Sequence, residues 1–171
     1  MIIIVRLNHR IFRDKRLTTH VALTARAFLA DKLYYSGDKD LNFEQSIHKI
    51  NEKFGSNFSV EYCGNPLKFI NENKDKFTIV HLTAYGVNVK NAVKKLKNKD
   101  VIVIVGGEKV ELEYYQLADM NIAVTKQPIS EVSRLAIFLD LLNDGKELDY
   151  EFKDAKVKIL ESEKGKNVVK S

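Results

Sequence analysis

The residues best suited to chemistry sit near the start of the chain. The segment RLNHRIFRDKRLTTH, residues 6–20, holds four arginines and two histidines. Arg6, Arg10, Arg13, Lys15 and Arg16 fall within it, opposed only by Asp14. Clustered cations repel one another unless a polyanion arrives, and a guanidinium grips phosphate through paired hydrogen bonds. The segment is therefore a candidate phosphate or RNA contact. A second basic cluster, Lys90, Lys94, Lys95, Lys97 and Lys99, has the spacing of a solvated helix face and is read as one. The formal charge of the chain is a mild +5, so placement says more than the total.

Other chemistries are thinner. Neither G-x-G-x-x-G nor G-x-x-x-x-G-K-[ST] occurs, which disfavours ordinary dinucleotide and P-loop phosphate binding. Gly106-Gly107 follows a β-branched run; it either brings main chain close to a ligand, at φ values other residues avoid, or makes a plain tight turn. None of His9, His20, His48 and His81 is paired as H-x-x-x-H, so no metal site is expected. His48 reads as a surface residue, while His81 either lines a pocket or is a satisfied core histidine. Cys63 reads as a small buried hydrophobe. Ser130 lacks a G-x-S-x-G setting and reads as a helix cap rather than a nucleophile.

The elements that must position these residues alternate in period. Ile2 to Val5 reads as a buried strand, and residues 18–30 as a helix with Thr18 or Thr19 at its N-cap. Lys32 to Tyr35 is a short strand. Asn42 is placed to cap a helix whose stripe is Phe43, Ile47, Ile50 and Phe54. Phe58 to Tyr62 is a strand, and Asn65-Pro66 opens a short helix. Phe77 to Leu82 is the next strand, followed by Thr83-Ala84-Tyr85-Gly86 and a helix with Val89, Ala92, Val93 and Leu96 on one face. Val101 to Val105 must be a strand buried on both faces. Met120 to Val124 is another, and a helix runs from about Glu131 to Leu142. Leu148 to Phe152 and Val157 to Leu160, joined by Lys153-Asp154-Ala155-Lys156, predict a hairpin, with a frayed polar end from Glu163. The expected fold is α/β, a mostly parallel sheet with helices on both faces. Ligands in such sheets sit beyond the carboxyl ends of strands. Three successive strands end there in HLTAYG, VGGEKV and VTKQPIS, so the site is expected among those loops.

With 171 residues, 44% of them hydrophobic, the chain can bury a core without disulfide or metal. One cysteine allows no internal disulfide and fits a reducing compartment. No apolar run approaches the roughly 20 residues that span a bilayer, and MIIIV reads as a strand rather than a signal peptide. A soluble cytoplasmic chain is expected, of residues 1–145 as one domain and 146–171 as hairpin and tail.

Taken together, HRIFRDKRLTTHVALTARAF, IVHLTAYG, VGGEKV and ADMNIAVTKQPISEVSRLAIFLD resemble the archaeal tRNA ribose 2′-O-methyltransferases that modify the T-loop cytidine at position 56, a family of the SPOUT superfamily. The resemblance runs from about Met1 to Leu142. It departs at Gly107, where a small residue such as alanine is expected, and at Leu29, where glycine is expected after the phenylalanine.

The resemblance implies a SPOUT fold with a deep C-terminal trefoil knot, S-adenosylmethionine as cofactor, tRNA as partner through its T-arm, and a homodimer. No metal and no membrane are implied. Leu82 would contact the adenosine. Gly106, Gly107, Glu108, Lys109 and Val110 would hold the cofactor from one loop. Val124, Thr125, Lys126, Gln127, Pro128, Ile129, Ser130 and Glu131 would hold it from another, supplying main-chain donors, acceptors and apolar walls. An arginine of the first motif would act on the ribose hydroxyl. Arg16 is assigned that catalytic role, with Arg26 as the alternative, and Arg10, Arg13 and His20 are assigned to the tRNA. The competing readings are a SPOUT enzyme for another RNA position or a base nitrogen, and a non-catalytic RNA-binding module with a degenerate cofactor pocket.

Overall fold

The computed structural model describes residues 1–13, 15–107 and 109–170, and at Lys15 the backbone only. Six parallel strands form the central sheet in the order β3-β2-β1-β5-β4-β6. They are β1 (Ile2–His9), β2 (Lys32–Gly37), β3 (Ser59–Tyr62), β4 (Thr78–Asn88), β5 (Val101–Val105) and β6 (Met120–Ala123). The helices between and after them are α1 (Lys15–Ala27), α2 (Leu41–Phe54), α3 (Pro66–Asn73), α4 (Val89–Leu96), α5 (Leu112–Leu117) and α6 (Glu131–Asn143).

The VIVIV run of β5 is the axis of the sheet. It pairs with β1 on one side (Ile2↔Val101 to Arg6↔Val105) and with β4 on the other (Thr78↔Val101 to Leu82↔Val105). Alternate residues of a strand face opposite ways, so its two faces serve two cores. Val101, Val103 and Val105 join a cluster with Val21 and Ala25 of α1, Phe43 and Ile47 of α2, Val93 and Leu96 of α4, and Leu135 and Phe138 of α6. Ile102 and Ile104 join the opposite cluster with Ile3, Val5, Ile70 of α3 and Tyr114 of α5. Burial on both faces explains why this strand reads as a continuous apolar run rather than an alternation.

Several local expectations shift. Helix α1 begins at Lys15, so Thr18 and Thr19 lie inside it rather than capping it. Thr18 is buried and hydrogen-bonds His9 Nδ1 at 2.9 Å instead. Asp40, not Asn42, caps α2, its carboxylate accepting from the Phe43 amide at 3.0 Å. Asn65 and Ser130 cap α3 and α6 as their sequence positions suggest. The C-terminal hairpin is built from other residues than expected. Val157–Leu160 (β7) pairs antiparallel with Asn167–Lys170 (β8), inside the stretch read as frayed. Leu148 falls instead in a 3-10 turn, Lys146–Asp149. With Gly145 in the left-handed region at its start, that segment turns tightly and cannot extend as a strand. The lysines of α4 and its following turn are exposed, as a solvated face requires.

Candidate active site at the carboxyl edge of the sheet

Because all six strands are parallel, their carboxyl ends share one edge. The order β1-β5-β4-β6 sets four of those ends side by side. The arginine segment leaves β1, Thr83–Gly86 leaves the regular part of β4, Gly106–Val110 leaves β5, and Val124–Ser130 leaves β6. Segments separated by over a hundred residues thus become neighbours. The Gly107 position shows how near: a Cβ there would lie 3.9 Å from a Glu131 carboxylate oxygen and 4.0 Å from Arg6 Nη1.

The arginine segment divides at its middle. Arg6 is inside β1, buried, with Nη1 donating to the Val105 carbonyl at 3.4 Å, so it belongs to the frame of the site. Arg10, Arg13 and Arg16 are exposed beyond the strand. Arg16 and His20 are exposed four residues apart on α1 and therefore share a helix face. The first turn of α1 carries no acidic residue and opens with Lys15 and Arg16. Cations at a helix N-terminus add to its positive end and are unfavourable there unless an anion is bound.

The segment is held from β2. Asp38 accepts the Ile11 amide at 3.0 Å, and the Asp38 amide donates to the His9 carbonyl at 2.8 Å. Gly37, at φ +98°, lets these two main chains touch where any Cβ would collide with His9. His9 itself is buried, 3.5 Å from Asp40 through Nε2 and edge-on to Tyr35. Sequence reading takes Asp38 only as part of the Ser36-Gly37-Asp38 turn that ends the strand and passes over Asp40; the S-G-D-x-D pattern is the available signal.

The loop after β4 is extruded. Both Leu82 and Val87 align with Ile122 of β6, so residues 83–86 bulge out of the ladder and return. A side chain at Gly86 would collide with the backbone of Asn121 and Ile122. Beneath it His81 is buried, bonded through Nδ1 to Asn121 Oδ1 at 2.9 Å, with Tyr115 edge-on at 4.4 Å. Burial drives its pKa below the ordinary histidine value, against the hydrogen bond to Asn121, so the ring is neutral. His81 is a satisfied core histidine, and it anchors the loop instead of lining a pocket. Thr83, bonded to the Tyr115 hydroxyl at 3.2 Å, completes that anchor.

The remaining site residues fall into a floor and a rim. Leu82 and Gly106 are buried, Val110, Val124, Thr125, Ile129 and Glu131 are half-buried, and Lys109, Lys126, Gln127, Pro128 and Ser130 are exposed. Glu108 lies outside the described residues. Arg134, which sequence reading missed, ties the loops together: it donates to the Leu82 carbonyl at 3.3 Å and to the Ile129 carbonyl at 3.5 Å. Its place one turn into the helix after TKQPIS was the only hint.

Two expectations change. Gly106 and Gly107 are absent from the residues with positive φ. Gly106 must be small because the Val110 side chain occupies the place of its Cβ, so packing rather than an unusual φ requires glycine there. A Cβ at Gly107 would make only ordinary contacts, so the alanine expected there would fit. Cys63 is half-buried rather than buried, its thiol pushed up by desolvation.

Arg26, the alternative catalytic arginine, is at the other edge. It donates to Asn51 Oδ1 at 2.9 Å, to the Phe54 carbonyl at 3.1 Å and to the Gly55 carbonyl, and it lies over the Phe152 ring at 4.8 Å. A groove of about 350 Å³ between Arg26, Phe54, Tyr150, Phe152 and the hairpin lies there too, away from the motif loops. Among the described residues no cluster of His, Cys, Asp or Glu could hold a metal ion, and no helix is long and apolar enough to cross a membrane.

Comparison with known proteins adds family and fold. Residues 54–169 match the family described as tRNA ribose 2′-O-methyltransferase, aTrm56. A protein of Thermococcus kodakarensis named tRNA (cytidine(56)-2′-O)-methyltransferase is 46% identical over 99% of this chain and 97% of its own. One of the same name from Methanocaldococcus jannaschii is 47% identical over 98% of this chain and 95% of its own. Among solved structures, the A. aeolicus TrmH/SpoU tRNA-modifying enzyme superposes with a TM-score of 0.63 at 20% identity, over 86% of this chain and 76% of that one. The SpoU methyltransferase AviRb from Streptomyces viridochromogenes, solved with AdoMet, gives 0.64 at 11% identity, over 84% and 57%. At such identities these likenesses speak for the α/β fold alone.

Proposed function

The chain belongs to the tRNA ribose 2′-O-methyltransferase family, and from that premise we propose that it methylates the ribose 2′-hydroxyl of the T-loop cytidine at position 56 of tRNA. The observation that carries the assignment onto this chain is the strand order β1-β5-β4-β6, which sets the exposed arginine segment beside the three motif loops on one edge. S-adenosylmethionine supplies the methyl group from its sulfonium.

Leu82, Gly106, Gly107, Lys109, Val110 and the stretch Val124 to Glu131 hold that cofactor. The residues fit it. It carries no phosphate and needs no phosphate loop, and here half-buried Val110, Val124 and Ile129 supply apolar walls under loops rich in main-chain donors and acceptors. The passage of the chain from edge strand β6 through those loops to α6, which packs back on α1 and α4, supports a deep trefoil knot around the cofactor site. Residues 1–145 form the methyltransferase domain and 146–171 its appendage. The enzyme works as a homodimer in the cytoplasm, where its tRNA is.

Arg10, Arg13 and His20 bind the T-arm, the arginines through phosphates. Arg16 polarises the ribose hydroxyl and aligns it with the methyl carbon. A guanidinium stays protonated in proteins, so it cannot take the proton itself; a phosphate oxygen of the substrate accepts it.

The test incubates unmodified tRNA with labelled cofactor and maps the product by nuclease digestion and mass. Label on the cytidine 56 ribose is expected; label on a base, or on a ribose outside the T-loop, would refute the assignment. Gly107→Leu tests the cofactor loop, because a Cβ there meets nothing closer than 3.9 Å. Calorimetry should show S-adenosylmethionine binding lost in that variant, with melting unchanged in the absence of cofactor. Undiminished binding would remove this loop from the site.

A further inference from the structure

The tip of the arginine segment carries an aromatic ring with no role in the fold. Arg10 to Arg13 form a β-turn closed by the Arg13 amide on the Arg10 carbonyl at 3.2 Å. Its two corner residues are treated oppositely. Ile11 is half-buried, with its amide held by Asp38 at 3.0 Å. Phe12 is 102% exposed, the most exposed of the large hydrophobic residues. Turn corners are ordinarily Asn, Asp, Gly, Pro or Ser, each with a local conformational reason to be there. Phenylalanine has none, and in water its ring is unfavourable. The ring is flanked in sequence by Arg10 and Arg13, with Arg16 four residues on beyond Asp14, and all three arginines are exposed. Tyr85 also protrudes on this edge, at 88% exposure.

An exposed apolar face with arginines on either side of it in the chain is complementary to an unpaired nucleobase and its neighbouring phosphates. Proteins that hold single-stranded segments combine these two elements, stacking for the base and positive charge for the backbone. We propose that Phe12 is a substrate-binding residue that stacks on an unpaired base of the tRNA. The inference rests on the reading that tRNA is the substrate, and it makes the loop a recogniser of an unstacked nucleotide rather than of duplex backbone alone.

The chain contains no tryptophan, so Phe12→Trp installs a single fluorescent reporter at the turn. Its emission should be quenched by saturating unmodified tRNA. Phe12→Ala and Phe12→Leu should each weaken tRNA binding about tenfold, whereas Phe12→Tyr should stay close to the parent. The salt dependence of binding should keep its slope in all of them, because stacking releases no counterions, while Arg10→Ala should flatten it. Unchanged affinity in Phe12→Ala, a Leu variant as tight as the parent, or no quenching in Phe12→Trp would each overturn stacking. Dissociation of the oligomer by Phe12→Ala in light scattering would overturn it as well, by making the ring a subunit contact. Mapping the methylated nucleotide with the unaltered enzyme keeps the two readings apart. Methyl outside the T-loop would refute the substrate position and leave the fluorescence result standing.

Discussion

Helix α1 carries an arginine near each end, and the two ends have opposite fates. At the amino end Arg16 is exposed at the carboxyl edge of the sheet, beside the turn of Arg10 to Arg13. At the other end Arg26 is 8% exposed, its guanidinium bonded to Asn51 and to the carbonyls closing α2, and capped by Phe152 from the C-terminal appendage. Burial lowers its pKa from the ordinary arginine value, with Asp154 acting in the opposite direction, and a guanidinium stays charged in proteins. One arginine is left exposed and the other is consumed by the fold. The helix dipole agrees: a cation at the last turn is favourable, and one in the first turn is not unless an anion joins it.

That contrast is broken most directly by removing each side chain in turn. Arg16→Ala should lower turnover at saturating tRNA about a thousandfold, the scale of losing one donor that acts on the developing charge, with Tm unchanged. Loss confined to KM would instead make Arg16 a binding residue. Arg26→Ala should do the reverse. It strips a buried charged donor from at least two main-chain carbonyls and should cost about 3 kcal/mol of stability, while turnover per folded molecule persists. Arg26→Lys should rescue little, because an ammonium cannot reproduce the planar fork. Proteolysis near Phe152 should also quicken as the appendage loosens. If Arg26→Ala leaves Tm intact and abolishes turnover, the two ends have been assigned the wrong way round.

Much of this arrangement was legible beforehand, and the reasons for the failures are physical. Periodicity located every strand and helix of the sheet domain except the short α5, because a doubly covered sheet forces long apolar runs such as Val101 to Val105. It could not show that β5 inserts between β1 and β4, since pairing partners far apart in sequence leave no local trace. Arg6 looked like one more phosphate ligand; only the Val105 carbonyl beside it reveals a frame residue. Gly106 reads as a glycine chosen for its φ, and only the Val110 side chain in the place of its Cβ shows that packing keeps it small. The sequence misplaces the hairpin because 148–152 alternates as well as 157–160 does. The choice between them is made by Phe152 and Asp154, which dock on Arg26 and on the Ser56 amide.

The smallest expected effect concerns the way α1 ends. Ala30 donates back to the Ala25 carbonyl at 2.9 Å and Leu29 to the Arg26 carbonyl at 3.3 Å, the pair of bonds that closes a helix through a left-handed residue. That residue is Leu29, at φ +60°, where related proteins are expected to carry glycine. A β-carbon there costs roughly 1–2 kcal/mol. Replacing it returns that strain, but glycine gives the unfolded chain more freedom, and the half-buried leucine side chain loses its contacts. Leu29→Gly should therefore stabilise by only about 0.5 kcal/mol, a rise in Tm of roughly 1–2 °C for a chain of this size. Turnover should not change, because this end of the helix faces away from the motif loops. A fall in Tm would mean that side-chain packing outweighs backbone strain at this cap. A change in turnover with Tm unmoved would show that the Arg26 end of α1 communicates with the active edge, and the division drawn between the two ends would not survive it.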